Sequence, residues 1–117
     1  MTVNVAVIGL GHNGLAFCEE YAKNPKSRLI AVCDIDQERA KYAGEKFHAA
    51  VYTDYSVLDI PELDAVSIHT GDSAHKEPFL LSLKKGKHVF VEKPMANRIE
   101  DVLEMVQEAE KHPNLVS

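Results

Sequence analysis

The run Val3-Asn4-Val5-Ala6-Val7-Ile8 passes directly into Gly9-x-Gly11-x-x-Gly14, and Asp34 follows Gly14 by twenty residues. No other feature constrains the fold as much. The apolar run reads as a strand, and each glycine after it has a separate task. Gly9 lets the chain turn sharply, Gly11 leaves the backbone open to an anion, and Gly14 lets a helix pack closely on its strand. Free amides at that helix start, near His12 and Asn13, point outward, and the helix dipole favours negative charge there. A second apolar run, Leu29-Ile30-Ala31-Val32-Cys33, ends at Asp34. A carboxylate at that strand end is placed to accept from both hydroxyls of an adenosine ribose. A glycine turn alone is a weak signal. With a strand before it, a helix after it and the distant acid, it describes a pocket for a dinucleotide.

The rest of the chain alternates in the same way. Val3–Ile8, Leu29–Cys33, Ala50–Tyr52, Ala65–Thr70 and His88–Glu92 are short and mostly apolar on both faces, as in a parallel sheet covered on both sides. Helices are predicted between them. Asn13–Lys23 places Leu15, Cys18 and Ala22 on one face, and Gln37–Phe47 follows Asp36 as N-cap. Ser73–Lys85 is capped by Asp72 or Ser73 and stopped by Gly86. A last helix starts at Asn97 with Glu100 three residues on, a capping-box pattern, and Pro113 ends it. Its predicted apolar face is Ile99, Val102, Leu103, Val106 and Ala109. Asp54–Leu63 reads as a short helix before Pro61. Right-handed crossovers then give an α/β doubly wound sheet of order 3-2-1-4-5, with a sixth strand position beginning at Leu115. A strand that begins there and stops at Ser117 reads as the front of a longer protein, with 1–117 its first domain.

Size and composition remove several classes. A chain of 117 residues is one domain's worth, and a net charge of −5 offers no basic footprint for nucleic acid or anionic membrane. No apolar run approaches membrane-spanning length, and the start at Val3 lacks a basic leader. Cys18 and Cys33 form no paired motif and read as reduced core thiols, which points to the cytoplasm. Six histidines raise the question of a metal, but none forms a ligand motif. His69, Asp72 and His75 are the nearest to a cluster, and the expectation is no metal.

Three further features fall at strand ends, where open α/β sheets bind ligands: the Asp34 and Asp36 pair, Thr70-Gly71-Asp72-Ser73-Ala74-His75, and Glu92-Lys93-Pro94. Together with Gly9-Leu10-Gly11-His12-Asn13-Gly14, they resemble the N-terminal NAD(P)-binding domain of the Gfo/Idh/MocA oxidoreductases, the group related to glucose–fructose oxidoreductase and inositol 2-dehydrogenase. The resemblance covers essentially the whole chain, and Glu92-Lys93-Pro94 is its most specific piece. The family pattern Thr-Pro-Asn-x-x-His is altered here by Gly71 and Asp72, while Thr70 and His75 fit.

The resemblance implies hydride transfer between NAD or NADP and a carbinol, often on a sugar or cyclitol. It implies Lys93 as the catalytic residue beside the reacting oxygen, partly buried with a lowered pKa, after a cis Lys93–Pro94 bond. It implies cofactor contacts from Gly9, Gly11, His12, Asn13, Gly14, Asp34, Thr70, His75, Glu92, Lys93 and Pro94. A second domain is implied to hold the substrate pocket, a catalytic histidine and usually a dimer interface, so that this piece alone turns over little. Asp34 favours NAD, because a carboxylate there repels a 2′-phosphate. Arg39, a turn further on, is the residue able to bend back for NADP. Two other readings of the glycine turn are a non-catalytic NAD-binding regulator and a methyltransferase; neither has a use for Glu92-Lys93-Pro94.

Overall fold

A computed structural model describes residues 2–71 and 74–117. The strands are β1 (Val3–Ile8), β2 (Ser27–Cys33), β3 (Ala50–Tyr52), β4 (Ala65–Ile68) and β5 (His88–Val91). The helices are α1 (His12–Lys23), α2 (Gln37–Phe47), α3 (Lys76–Lys84) and α4 (Ile99–Glu110), with a 3-10 helix at Tyr55–Asp59. All strand pairs are parallel, in the order β3-β2-β1-β4-β5. This is the expected doubly wound sheet.

β1 and β2 read as continuous apolar runs because both of their faces are covered, whereas Val51 of β3 and Phe90 of β5 are exposed. Ala6, Ile8, Ala31 and Cys33 join Val57, Leu58, Phe79, Leu83 and Met105 in one core. Val7 and Val32, pointing the other way, join Leu10, Cys18, Ala40 and Ala43 in the second. Strand periodicity of two divides β1 and β2 between the two cores, while Val66 and Ile68 of β4 and Val89 of β5 join the first alone. Both cysteines are buried and unpaired, and burial pushes each thiol up to about 12. No helix among the described residues is long and apolar enough to cross a membrane.

Several boundaries differ from expectation. β4 and β5 end at Ile68 and Val91, so Thr70 and Glu92 lie in loops beyond them. On α1, Ala22 is exposed and Tyr21 packs inward in its place. The helix expected from Ser73 begins at Lys76, and its suggested caps, Asp72 and Ser73, lie outside the described residues. No sixth strand forms. Val116 accepts from Val89 N–H at 2.9 Å, but its own N–H goes to the His88 side chain, so no ladder develops beside β5.

The largest correction concerns α4. It starts at Ile99, with Arg98 at the N-cap making no side-chain cap, so Asn97 and Glu100 form no capping box. Asp101, the N3 residue of this register, is instead drawn to Lys76 of α3 at 3.2 Å, and Glu104 meets the same ammonium at 2.9 Å. In this register Met105 and Glu108 face inward. Ile99, Leu103 and Val106, three of the five expected core residues, stay exposed.

Candidate functional site

A cleft of about 710 Å³ opens across the carboxyl ends of β1, β2 and β4, where the strand order reverses. Its walls include Gly9, Gly11, Asp34, Arg39, His69 and Thr70. The glycine turn forms its floor. Gly9 has φ +94°, and a Cβ there would stand 2.5 Å from the His69 carbonyl carbon. A Cβ on Gly14 would collide with the Gly9 carbonyl oxygen. Packing therefore demands both residues. Gly11 differs: its φ is −73°, and a Cβ would meet only the Arg39 guanidinium, at 3.8 Å. Nothing among the described residues requires a glycine at that position.

Gly11 is the N-cap of α1, and the first helical bond runs from Leu15 N–H to its carbonyl at 3.0 Å. The amides of His12, Asn13 and Gly14 precede that bond and have no helical acceptor. The His12 and Asn13 side chains are exposed and stand outside the cleft wall, so these residues offer their backbone.

Asp34 follows β2 in the cleft wall. One carboxylate oxygen accepts from Leu10 N–H at 2.8 Å and the other from Asp36 N–H at 2.9 Å. The carboxylate is thus fixed in the cleft wall with lone pairs to spare, since an ionised carboxylate has about four acceptor positions. Asp36 is the cap of α2, accepting from Glu38 and Arg39 amides at 3.0 and 3.3 Å. Arg39 lies 3.9 Å from Asp36 through Nε, while its Nη1 reaches over Gly11. The sequence held Arg39 only as a residue able to bend back; the fold puts it in the cleft.

At the other end, Thr70 follows β4, lines the cleft and donates its hydroxyl to Ala74 O at 3.1 Å. His75 does not reach the cleft. It is fully buried, with Nε2 2.9 Å from Thr70 O and Nδ1 2.9 and 3.1 Å from Pro94 O and Met95 O. A histidine at a helix start would ordinarily be solvated; here the carbonyls of two loops gather around it, so it straps Thr70 to Pro94. The Lys93–Pro94 bond is cis. Lys93 is exposed rather than partly buried, with no hydrogen bond or ion pair to the described residues. Glu92 is half-buried, its carboxylate 3.7 Å from His69 Nδ1. Pro94 is exposed, and neither it, Glu92 nor Lys93 lines the cleft directly. Among the described residues no three His, Cys, Asp or Glu side chains gather as metal ligands, and Asp72 lies outside those residues. His69, named from sequence only as a metal candidate, is a cleft residue whose sole signal was its place at a strand end.

A glycine turn at a helix start, an acid after the second strand and a crevice at the topological switch point define a dinucleotide-binding Rossmann domain. Residues 3–117 match the Gfo/Idh/MocA model, "Oxidoreductase family, NAD-binding Rossmann fold", and the chain belongs to that family. It is 37% identical over 110 residues to the inositol 2-dehydrogenase/D-chiro-inositol 3-dehydrogenase of Lacticaseibacillus casei, covering 91% of this chain and 32% of the relative. It is 28% identical over 121 residues to a glycosyl hydrolase family 109 protein of Porphyromonas gingivalis, covering 94% and 26%. The crystal structure of scyllo-inositol dehydrogenase from Lactobacillus casei, with NAD(H) and scyllo-inositol bound, superposes with a TM-score of 0.93. That match is 27% identical and covers 98% of this chain and 35% of that one. The chain therefore spans about a third of the length of the curated relatives it matches.

Proposed function

We propose that residues 1–117 form the cofactor domain of an NAD-linked dehydrogenase acting on a carbinol or carbonyl of a sugar or cyclitol. The observation that carries this reading is Gly11, a glycine that the fold itself does not require, at the mouth of a helix beside a fixed carboxylate. The missing side chain leaves room for a diphosphate against the amides of His12, Asn13 and Gly14, with the Arg39 guanidinium above it. Asp34 accepts from the adenosine ribose and disfavours a 2′-phosphate, which makes NAD the preferred cofactor. When bound, the nicotinamide supplies the hydride chemistry.

Gly9 and Thr70 form the wall toward that end, and His75 holds the two loops that carry Thr70 and Pro94. Lys93 is the group for the reacting oxygen, its ammonium stabilising developing negative charge once a substrate domain covers it. Relatives about three times as long support such a second domain, and with it an oligomer. The inositol dehydrogenases among them support a cyclitol-like substrate. Two unpaired, buried thiols support a cytoplasmic setting.

The test is a Gly11→Asp variant titrated with NADH. Asp is a strong N-cap, so the unfolding midpoint should hold or rise. The carboxylate fills the diphosphate space, so NADH affinity should fall at least tenfold. Unchanged NADH binding by a folded variant refutes the reading. The unsubstituted chain should also bind NADH more tightly than NADPH.

A further inference from the structure

His69 is buried, its side chain fully so, and it is not explained by the cofactor contacts above. Its ring is clamped. Phe17 of α1 packs on it with centroids 4.3 Å apart, and Ser67 Oγ stands 2.6 Å from Nε2. Tyr21 Oη donates to that same Ser67 Oγ at 2.9 Å. Ser67 is buried and its hydroxyl has no other acceptor among the described residues, so with Tyr21 donating to its oxygen its one proton goes to Nε2. Nε2 is therefore an acceptor, and a neutral ring carries its proton on Nδ1. Nδ1 is buried and finds no hydrogen-bond partner among the described residues. Glu92 Oε1, on the residue before Lys93, stands 3.7 Å away. Burial also holds the ring below the usual imidazole range and so keeps it neutral, opposed by Glu92 and reinforced by His75. These two and Tyr21 are the titratable groups facing it, one each from beyond β5, before α3 and on α1.

We infer that His69 is a positioning residue for Glu92 and Lys93, its Nδ1–H being the donor that fixes the Glu92 carboxylate. Phe17 and Ser67 hold the ring, whereas the Glu92 side chain is 27% exposed, so the carboxylate is the partner that closes the gap. A movement of about 0.8 Å brings it to hydrogen-bond distance. An orphaned buried donor is destabilising, and docking of Glu92 relieves it. The docked carboxylate then sets where the next residue leaves the β5 end. What this does for Lys93 rests on the dehydrogenase reading; the hydrogen bond itself does not.

The test has two arms. Long-range proton–nitrogen NMR on the histidine-labelled chain should show His69 as the Nδ1–H tautomer, with Glu92→Gln moving the Nδ1 signal and sparing Nε2. An Nε2–H tautomer, or a signal indifferent to Glu92→Gln, overturns the inference without reference to any cofactor. In the second arm, NADH protection of Lys93 against acylation by an amine-reactive ester is read by mass spectrometry. An asparagine amide nitrogen stands where Nδ1 stood, so His69→Asn should keep at least fivefold protection while His69→Leu falls below twofold. Equal loss in both folded variants overturns the positioning role. Should His69→Leu fail to fold, loss of protection in His69→Asn overturns it alone. A chain that shows the Nδ1–H signature but binds no NADH refutes the function proposed above and leaves the His69–Glu92 bond standing.

Discussion

Asp34 acts before any ligand arrives. Its two oxygens hold Leu10 N–H, at the end of β1, and Asp36 N–H, at the entry to α2, so the same carboxylate shapes the cleft and faces it. Asp34→Asn keeps the shape but leaves one acceptor for two amides, one of them on Leu10, which is buried. The orphaned amide should cost about 1–3 kcal/mol in urea unfolding without cofactor. The preference for NADH over NADPH should narrow at least tenfold. Asp36→Ala separates the two roles: it should lose about 1 kcal/mol of helix capping and leave the cofactor preference unchanged. The Asp36 cap was legible in the sequence because a cap reaches only two or three residues ahead. The bond from Asp34 to Leu10 was not, since it joins residues far apart in sequence that only strand pairing makes neighbours. His75 shows the same limit. Local sequence puts it on a helix start, yet it is buried against the Thr70 carbonyl and those of Pro94 and Met95, some twenty residues on.

Elements were legible where one periodicity dominates. β1, β2 and β4 are apolar on both faces, glycine or aspartate ends each of the first two, and the strand order follows from crossover handedness. The helix α4 has two apolar stripes, and sequence alone cannot choose between them. Ile99, Leu103 and Val106 form one; Val102, Met105 and Ala109 form the other. The second is the one turned inward: Met105 is buried in the core, and in that orientation Asp101 and Glu104 meet Lys76 of α3. Met105→Ala should therefore destabilise by about 2–5 kcal/mol, a buried-cavity cost. Leu103→Ala, two residues away and 55% exposed, should change stability by less than about 0.5 kcal/mol. Equal losses in chemical denaturation would mean that the helix lies the other way up.

The stability of the whole molecule should carry the signature of His69 in its pH dependence. Burial lowers the folded-state value of this imidazole below its usual 6.5. The unfolded chain therefore binds the proton first, and as pH falls the unfolded state is favoured. The stabilisation is complete above about pH 6.5 and is lost as pH falls toward the folded value, at no more than about 1.4 kcal/mol per pH unit. Glu108 acts lower on the scale. His112, bonded to it at 2.9 Å, holds its carboxyl below the usual 4.5, so its contribution persists above that value and fades beneath it. The Asp54 carboxyl, lowered by the Ser56 hydroxyl and amide, behaves alike. The urea midpoint should thus fall in two steps, the first beginning near pH 6.5 and the second below about 4.5. His69→Asn cannot titrate, and it should erase the first step while the second remains. A first step that survives His69→Asn would assign it to another group and remove the neutral, clamped imidazole from the account of this cleft.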